Sequence, residues 1–162
     1  VRDNDTNQTE IAMNGVYEYT VARRRVDEIR ETAKADSPEK LVDFLRGLPF
    51  VESEQEHFLA VMLDTKNKVK AYTTVTIGLV DRTQVHAREV FRAAIISGAS
   101  RVVVTHNHPS GDPTPSAEDI ACTRMLVKAG KIIGIEVMDH IIIGDLEGDK
   151  KGWMSFKEEG LM

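Results

Sequence analysis

Apolar positions recur along this chain in two rhythms, and the change between them divides it into a head and a body. Residues 1–15 are polar and unpatterned and are expected to form a mobile, disordered tail. From Val16 to about Ala35, the positions Val21, Ala22, Val26, Ile29 and Ala33 follow helical spacing and predict a weakly amphipathic helix. A second helix should start at Ser37-Pro38-Glu39, with Ser37 as cap and Pro38 in the first turn. It would carry Leu41, Val42, Phe44 and Leu45 and stop near Gly47 and Pro49. Residues 16–50 therefore read as an N-terminal helical segment.

The body, residues 52–162, changes rhythm. HFLAVML (57–63) predicts a buried strand, residues 64–68 a turn, and VKAYTTVTI (69–77) its hairpin partner. Val90, Phe91, Ala94 and Ile95 mark a helix over about 85–97, with Gly98 just past its end. RVVVTHNH (101–108) is a strand whose unbroken valines point to a central place, covered on both faces. A further helix follows, with an apolar stripe at Ala121, Cys122, Met125, Leu126 and Ala129. IEVMDHIII after Gly134 is another strand, and WMSF (153–156) a short edge strand. Strands alternating with helices give an α/β fold, a layered sheet flanked by helices.

Composition narrows the picture little, and charge narrows it more. The 162 residues suffice for one real core. With 21 basic and 26 acidic residues the formal charge is −5, against a broad nucleic-acid footprint, which needs clustered Lys and Arg. The one basic run, Arg23-Arg24-Arg25, is followed by Asp27 and Glu28 and reads as a solvated helix face. Only weak DNA binding is expected. A single cysteine, Cys122, excludes an intrachain disulfide, and no apolar run is long enough to span a bilayer. These features favour the cytoplasm and no membrane partner.

The chemistry gathers where the valine strand ends. Two of the five histidines, His106 and His108, lie two residues apart. In a strand they project from one face, about 7 Å apart at Cα. Two such imidazoles can each offer a nitrogen to one Zn²⁺. The candidate third ligand is Asp119, three residues after Ser116. Ser116-x-x-Asp119 also matches a capping box, a purely structural device. Asp112 competes for the ligand role from within the loop.

The order His106-x-His108, seven residues, Ser116, two residues, Asp119 resembles the JAMM (MPN+) zinc metalloprotease motif. The fuller string HNHPSGDPTPSAED, with DHIIIG downstream, resembles its bacterial RadC branch. The likeness covers about residues 52–162. It implies a mixed sheet of the JAB/MPN type, related to the cytidine deaminases, with one zinc held by His106, His108 and Asp119. It also implies an upstream glutamate, best matched by Glu56 in QEHFLAVMLD. RadC proteins often carry an N-terminal helix-hairpin-helix module with Gly-x-Gly hairpins. Residues 16–50 contain only Gly47, so the chain resembles the short form that lacks the module, as in mobile-element copies.

The expected reaction is hydrolysis of a peptide or isopeptide bond in a protein or peptide substrate, by a metal-activated water. Glu56 would be the general base and Ser116 a stabiliser of the oxyanion. The alternatives are an accessory protein of DNA repair or of a mobile element, and a non-catalytic metal-binding scaffold. The spelling HNH at 106–108 is coincidental, because the nuclease motif of that name is scattered over a ββα unit. A nucleobase deaminase is excluded, since its site needs a Cys-x-x-Cys pair. His57 is expected to be packed or on a rim and His86 to be exposed at a helix start. Asp139-His140 is expected to be a buried hydrogen-bonded pair, near the site in family terms. Ser110 and Asp112 are expected to shape the loop through local bonds, and Cys122 to lie in the core.

Overall fold

A computed structural model describes residues 34–78, 85–145 and 151–162. The predicted tail, the helix from Val16 and the arginine run lie outside these residues up to 33. At the helix's expected end the chain is extended: Lys34 bridges Lys68, and the Ala35 amide donates to the Asn67 carbonyl at 2.8 Å.

α1 spans Pro38–Arg46, and Ser37 caps it by accepting from the Lys40 amide. A 3-10 turn, Pro49–Glu52, leads into β1 (Glu56–Leu63) and its antiparallel partner β2 (Val69–Gly78). α2 (Ala87–Ile96) leads to β3 (Arg101–Asn107). α3 (Ala117–Ile133) carries the chain to β4 (Glu136–Ile143), and β5 (Trp153–Ser155) closes the order β2-β1-β3-β4-β5. Only β3 and β4 run parallel, joined by the α3 crossover; the other pairs are antiparallel. The sheet is therefore mixed, with the valine strand at its centre.

Alternation along the strands builds two cores. Leu59, Val61, Leu63, Val103, Ile141 and Ile143 face α1, which buries Leu41, Val42 and Leu45 against them. The head thus shares the sheet's core from Ala35 onward. Phe58, Ala60, Met62, Val102, Val104 and Val137 face the other way, under Val90, Phe91 and Ala94 of α2 and Leu126 of α3. Burying a Leu- or Phe-sized side chain contributes about 1.5–3 kcal/mol, so the faces are held apart chiefly by packing.

The stripe predicted on α3 is rotated. Its buried face is Thr123, Leu126 and Gly130, while Ala121 and Met125 are exposed and Cys122 is half-buried. Two facts explain the difference. Gly130 faces inward because any side chain there would strike the Ile135 carbonyl, so α3 lies close on β4. Thr123 faces inward because it has a polar partner in the sheet, which an apolar count cannot anticipate.

Candidate metal centre

β1 and β3 place Phe58 opposite His106. Continuing that antiparallel register puts Glu56 opposite His108, so Glu56, Phe58, His106 and His108 share the α3 face. In β4, His140 lies beside Val104 and takes the same face. The strand ladder persists past β3, because the His108 amide donates to the Ile143 carbonyl at 2.8 Å. The loop then turns at Gly111 (φ 82°), and the Asp145 amide donates to its carbonyl. Gly144 is in contact with that same carbonyl, where a Cβ would collide. The loop is thereby seated on the end of β4.

α3 begins immediately beyond the loop, and its first turn closes over the histidines. Ser116 and Asp119 form a complete capping box: the Asp119 amide donates to Ser116 Oγ at 3.1 Å, and the Ser116 amide donates to Asp119 Oδ2 at 2.7 Å. The same carboxylate reaches the histidines. Oδ1 lies 3.3 Å from His106 Nε2 and Oδ2 lies 3.7 Å from His108 Nε2. Cap and cluster are thus compatible, because Oδ1 is turned to His106 while Oδ2 takes the cap bonds and also faces His108. The Ser116 hydroxyl also donates to Oδ2, at 2.6 Å, which orients the carboxylate. Asp112 stands apart from this cluster. Its Oδ1 accepts from the Thr114 amide and hydroxyl, while its backbone carbonyl accepts from His108 Nδ1 at 2.7 Å.

His106, His108 and Asp119 each offer one ligand atom, all within 4.8 Å of one another. Four ligands at 2.0–2.1 Å around a tetrahedral zinc stand about 3.3 Å apart. The His106 and His108 Nε2 atoms are 2.9 Å apart, and they lie 3.3 and 3.7 Å from Asp119 Oδ1 and Oδ2 respectively, so each nitrogen has a carboxylate oxygen near that spacing. His108 Nδ1 donates its N–H to the Asp112 carbonyl, the kind of outer contact usual for a histidine that would bind a metal through Nε2. The donor set fits one zinc ion. His106 is fully buried, while His108 and Asp119 keep an edge open to solvent.

The electrostatics agree with a crowded cation site. Burial pushes the His106 imidazole down to about 4. Burial also lowers His108, but its hydrogen bonds to Asp119 and the Asp112 carbonyl outweigh this and raise it. Burial would raise the Asp119 carboxyl, yet bonds with His108 and Ser116 and the charge of His106 hold it well below the usual carboxylate range. Glu56 is half-buried, and burial followed by the Asp119 charge pushes its carboxyl up, partly offset by His108. Glu52 lies in the 3-10 turn. β1 starts only at Glu56, so Glu56 is the first acidic residue of this segment that the sheet holds.

Two contributors, Asn107 and Thr123, are not singled out by the sequence; a third, His140, is. Asn107, facing away from the histidines, holds the segment that leads into Glu56. Its Oδ1 accepts from the His57 amide at 2.8 Å, and its Nδ2 donates to the Ser53 and Gln55 carbonyls at 3.1 and 3.0 Å. His140 Nε2 lies 2.8 Å from His106 Nδ1, and Thr123 Oγ1 lies 2.5 Å from His140 Nδ1. The spacing of Thr123, four residues after Asp119 on one helix face, was the available clue. Asp139 parts from its neighbour's ring: it accepts from the His140 and Lys157 amides and the Ser155 hydroxyl on the opposite side of the sheet. His57 is half-buried against Ser53, and His86 is exposed at the start of α2. Among the described residues, no helix is long and apolar enough to cross a membrane.

Comparison with known proteins gives the same picture. A family model described as the RadC-like JAB domain matches residues 35–161. A UPF0758 protein of Caldanaerobacter subterraneus subsp. tengcongensis is 48% identical over 130 residues, which are 80% of this chain and 53% of that protein. A UPF0758 protein of Bacillus cereus is 52% identical over 144 residues, 88% of this chain and 61% of its own length. One from Desulforamulus reducens is 51% identical over 109 residues, covering 67% of this chain and 46% of that protein. The chain thus spans about half to three-fifths of these relatives. With the family match covering nearly every described residue, this chain belongs to the RadC-like JAB domain family.

Proposed function

We propose that this domain is a zinc-dependent metallopeptidase that hydrolyses a peptide or isopeptide bond. One observation carries the reading: the His106 and His108 Nε2 atoms stand 2.9 Å apart and each lies within 3.7 Å of an oxygen of the Asp119 carboxylate, close enough for all three residues to share one ion, with Glu56 on the same face of the sheet. A zinc ion held there supplies Lewis acidity, lowering the pKa of water and polarising a carbonyl. The protein's own groups do the rest. Glu56, kept partly desolvated at the mouth of β1, accepts the proton of the attacking water and later delivers it to the leaving amine. Ser116, now hydrogen-bonded to Asp119, is the hydroxyl nearest the ligand set that can turn to a developing oxyanion. Phe58 stacks on His106 with ring centroids 5.8 Å apart and keeps water from that side of the ligand.

A protein or peptide substrate is favoured by what surrounds the loop. An open cleft of about 720 Å³ is lined by Asp112, Pro113, Thr114, Trp153 and Leu161. It shares the loop that holds His108 and lies beside β5, the last strand of the sheet. An extended chain can pair at such an edge through its backbone. The charge of −5 favours only weak, salt-sensitive contact with duplex DNA, and the cytoplasm is the compartment proposed. The test is metal analysis of protein purified without chelator, followed by a peptide-library cleavage assay. Stoichiometric zinc with cleavage is expected. Zinc without cleavage of any peptide would favour a scaffold, and absence of zinc would overturn the reading.

A further inference from the structure

Apolar side chains left in water collect at one end of the domain, the end opposite the His106–His108–Asp119 cluster. α2 and α3 each lead into one of the two parallel strands, so Ile96 and Ile133 close their helices beside the starts of β3 and β4. The helices touch where Phe91 meets Gly130, since a Cβ on that glycine would lie 3.2 Å from the Phe91 ring. One turn further on come Ile95 and Ile96 of α2 and Ile132 and Ile133 of α3, all exposed. Ile132 is 87% exposed, so it stands proud of the surface instead of lining a groove. Neighbouring isoleucines held in water in this way mark a contact surface.

The same end is basic. Leu63 pairs with both Val69 and Arg101, which brings the β1–β2 turn beside the start of β3. That turn carries Lys66 and Lys68, and Lys34 bridges Lys68. Lys70 reaches across to the end of α2, donating to the Ser97 and Gly98 carbonyls at 2.7 and 2.9 Å. Lys128 and Lys131 are exposed on the last turns of α3. The neighbouring acids are engaged: Glu136 pairs with Arg101 at 2.9 Å, and Asp64 accepts from the Lys66 and Lys68 amides within its turn. In a chain of formal charge −5, cations are thus gathered around an apolar tip.

Duplex phosphates would take the lysines but offer nothing to the isoleucines. A bilayer with anionic lipid offers both, negative headgroups at its surface and an acyl boundary into which apolar side chains dip. Among the described residues no helix is long and apolar enough to cross a membrane, but lying against one needs no span. The expectation of no membrane partner rests on apolar runs alone and does not reach this case. We propose that the lysine-rimmed isoleucine end seats the domain on an anionic membrane surface, with the histidine cluster facing the water. The seat does not depend on what the cluster does.

The test is co-sedimentation of the full chain with vesicles of phosphatidylcholine alone, and of phosphatidylcholine with about one-third phosphatidylglycerol. Binding to the anionic vesicles is expected, with little to the neutral ones. It should weaken steeply between about 0.1 M and about 1 M salt, as the Debye length falls from about 10 to about 3 Å. Lys66→Gln and Lys131→Gln should each weaken it about fivefold, and Ile132→Ser about tenfold. All three side chains are exposed, so thermal unfolding should not move. Ile77→Ser and Arg88→Gln, exposed at the far end of β2 and the start of α2, should bind as the parent does. Failure of the full chain to bind anionic vesicles overturns the proposal, as does binding that Ile132→Ser leaves unchanged. Duplex DNA bound in place of vesicles would make the end a phosphate contact. An oligomer that Ile132→Ser dissociates in sedimentation, without vesicle binding, would give the patch to a second copy. Either result overturns the lipid seat.

Discussion

Asn107→Ala tests whether the residue between the two histidines holds the base in place. The amide of Asn107 is almost fully buried and makes three bonds to the backbone of 53–57. A hydrogen bond contributes about 0.5–1.5 kcal/mol net, so three are worth up to about 4.5 kcal/mol. Ser53 is half-buried and Gln55 exposed, so water can replace the two bonds to their carbonyls once the amide is gone. The His57 amide, at the start of β1, is less easily rehydrated. The expected loss is therefore about 2–3 kcal/mol, measured by urea denaturation, or roughly 5–10 °C in Tm for a chain of this size. Asn107→Asp sharpens the test. Its carboxylate still accepts from the His57 amide but faces two carbonyl oxygens without a proton to give. Burial and those carbonyls should raise its folded pKa above the unfolded value. Its stability should then be best at low pH and should fall as pH rises through that raised pKa, while the Ala variant shows no such added dependence. Backbone hydrogen exchange at 54–57 should speed up in both. If Asn107→Ala stays within about 0.5 kcal/mol of the parent and leaves exchange unchanged, the clamp is not what positions Glu56.

Other substitutions separate the remaining roles. Asp119→Ala should lose most of the bound zinc and Asp112→Ala should keep it, read by metal analysis; the reverse would return Asp119 to a capping role alone. Glu56→Gln should retain zinc and fold but lose about 10²- to 10⁴-fold in cleavage rate once a substrate is found, while Glu54→Gln stays near the parent; a Glu56 variant within a few-fold of it would place the base elsewhere. Thr105 is fully buried and its hydroxyl has no hydrogen-bond partner among the described residues. Thr105→Val should therefore stabilise by about 1–2 kcal/mol in urea denaturation, and a less stable variant would show that the hydroxyl is satisfied. Burial and then the Asp119 charge push the Cys122 thiol up to about 11. Alkylation at pH 8 should be about 100-fold slower than for a free thiol and should rise about tenfold per pH unit; a rate matching free cysteine would refute this.

The parts of the fold that were legible from sequence are those set by side-chain rhythm. The continuous Val102-Val103-Val104 run announced a central strand, because a strand covered on both faces has no polar side to show. The two-residue step from His106 to His108 announced a shared face for the same geometric reason. What escaped depends on contacts between distant elements. Thr123 reads as a surface residue on α3 until β4 brings His140 against it. Asn107 looks like a filler between histidines until β1 arrives with backbone groups for it to bind. The helix expected up to Ala35 gave way, at Lys34 and Ala35, to extended backbone that pairs with the β1–β2 turn. A periodicity count cannot see that partner. Asp119 shows the opposite lesson, since the residue that closes the capping box is also the carboxylate that reaches both histidines.

That double use has a consequence for how the domain responds to its surroundings. The carboxylate of Asp119 is oriented by the amide and hydroxyl of Ser116, so the candidate third ligand would be built as α3 winds its first turn. Local opening of that turn would pull the carboxylate away from the histidines, and an ion bound to the cluster would in turn hold the turn closed by mass action. The start of α3 is therefore a reporter as well as a support. Slower amide exchange confined to residues 117–120 would register occupancy without any substrate in hand, and fraying there would disarm the cluster while leaving the sheet intact.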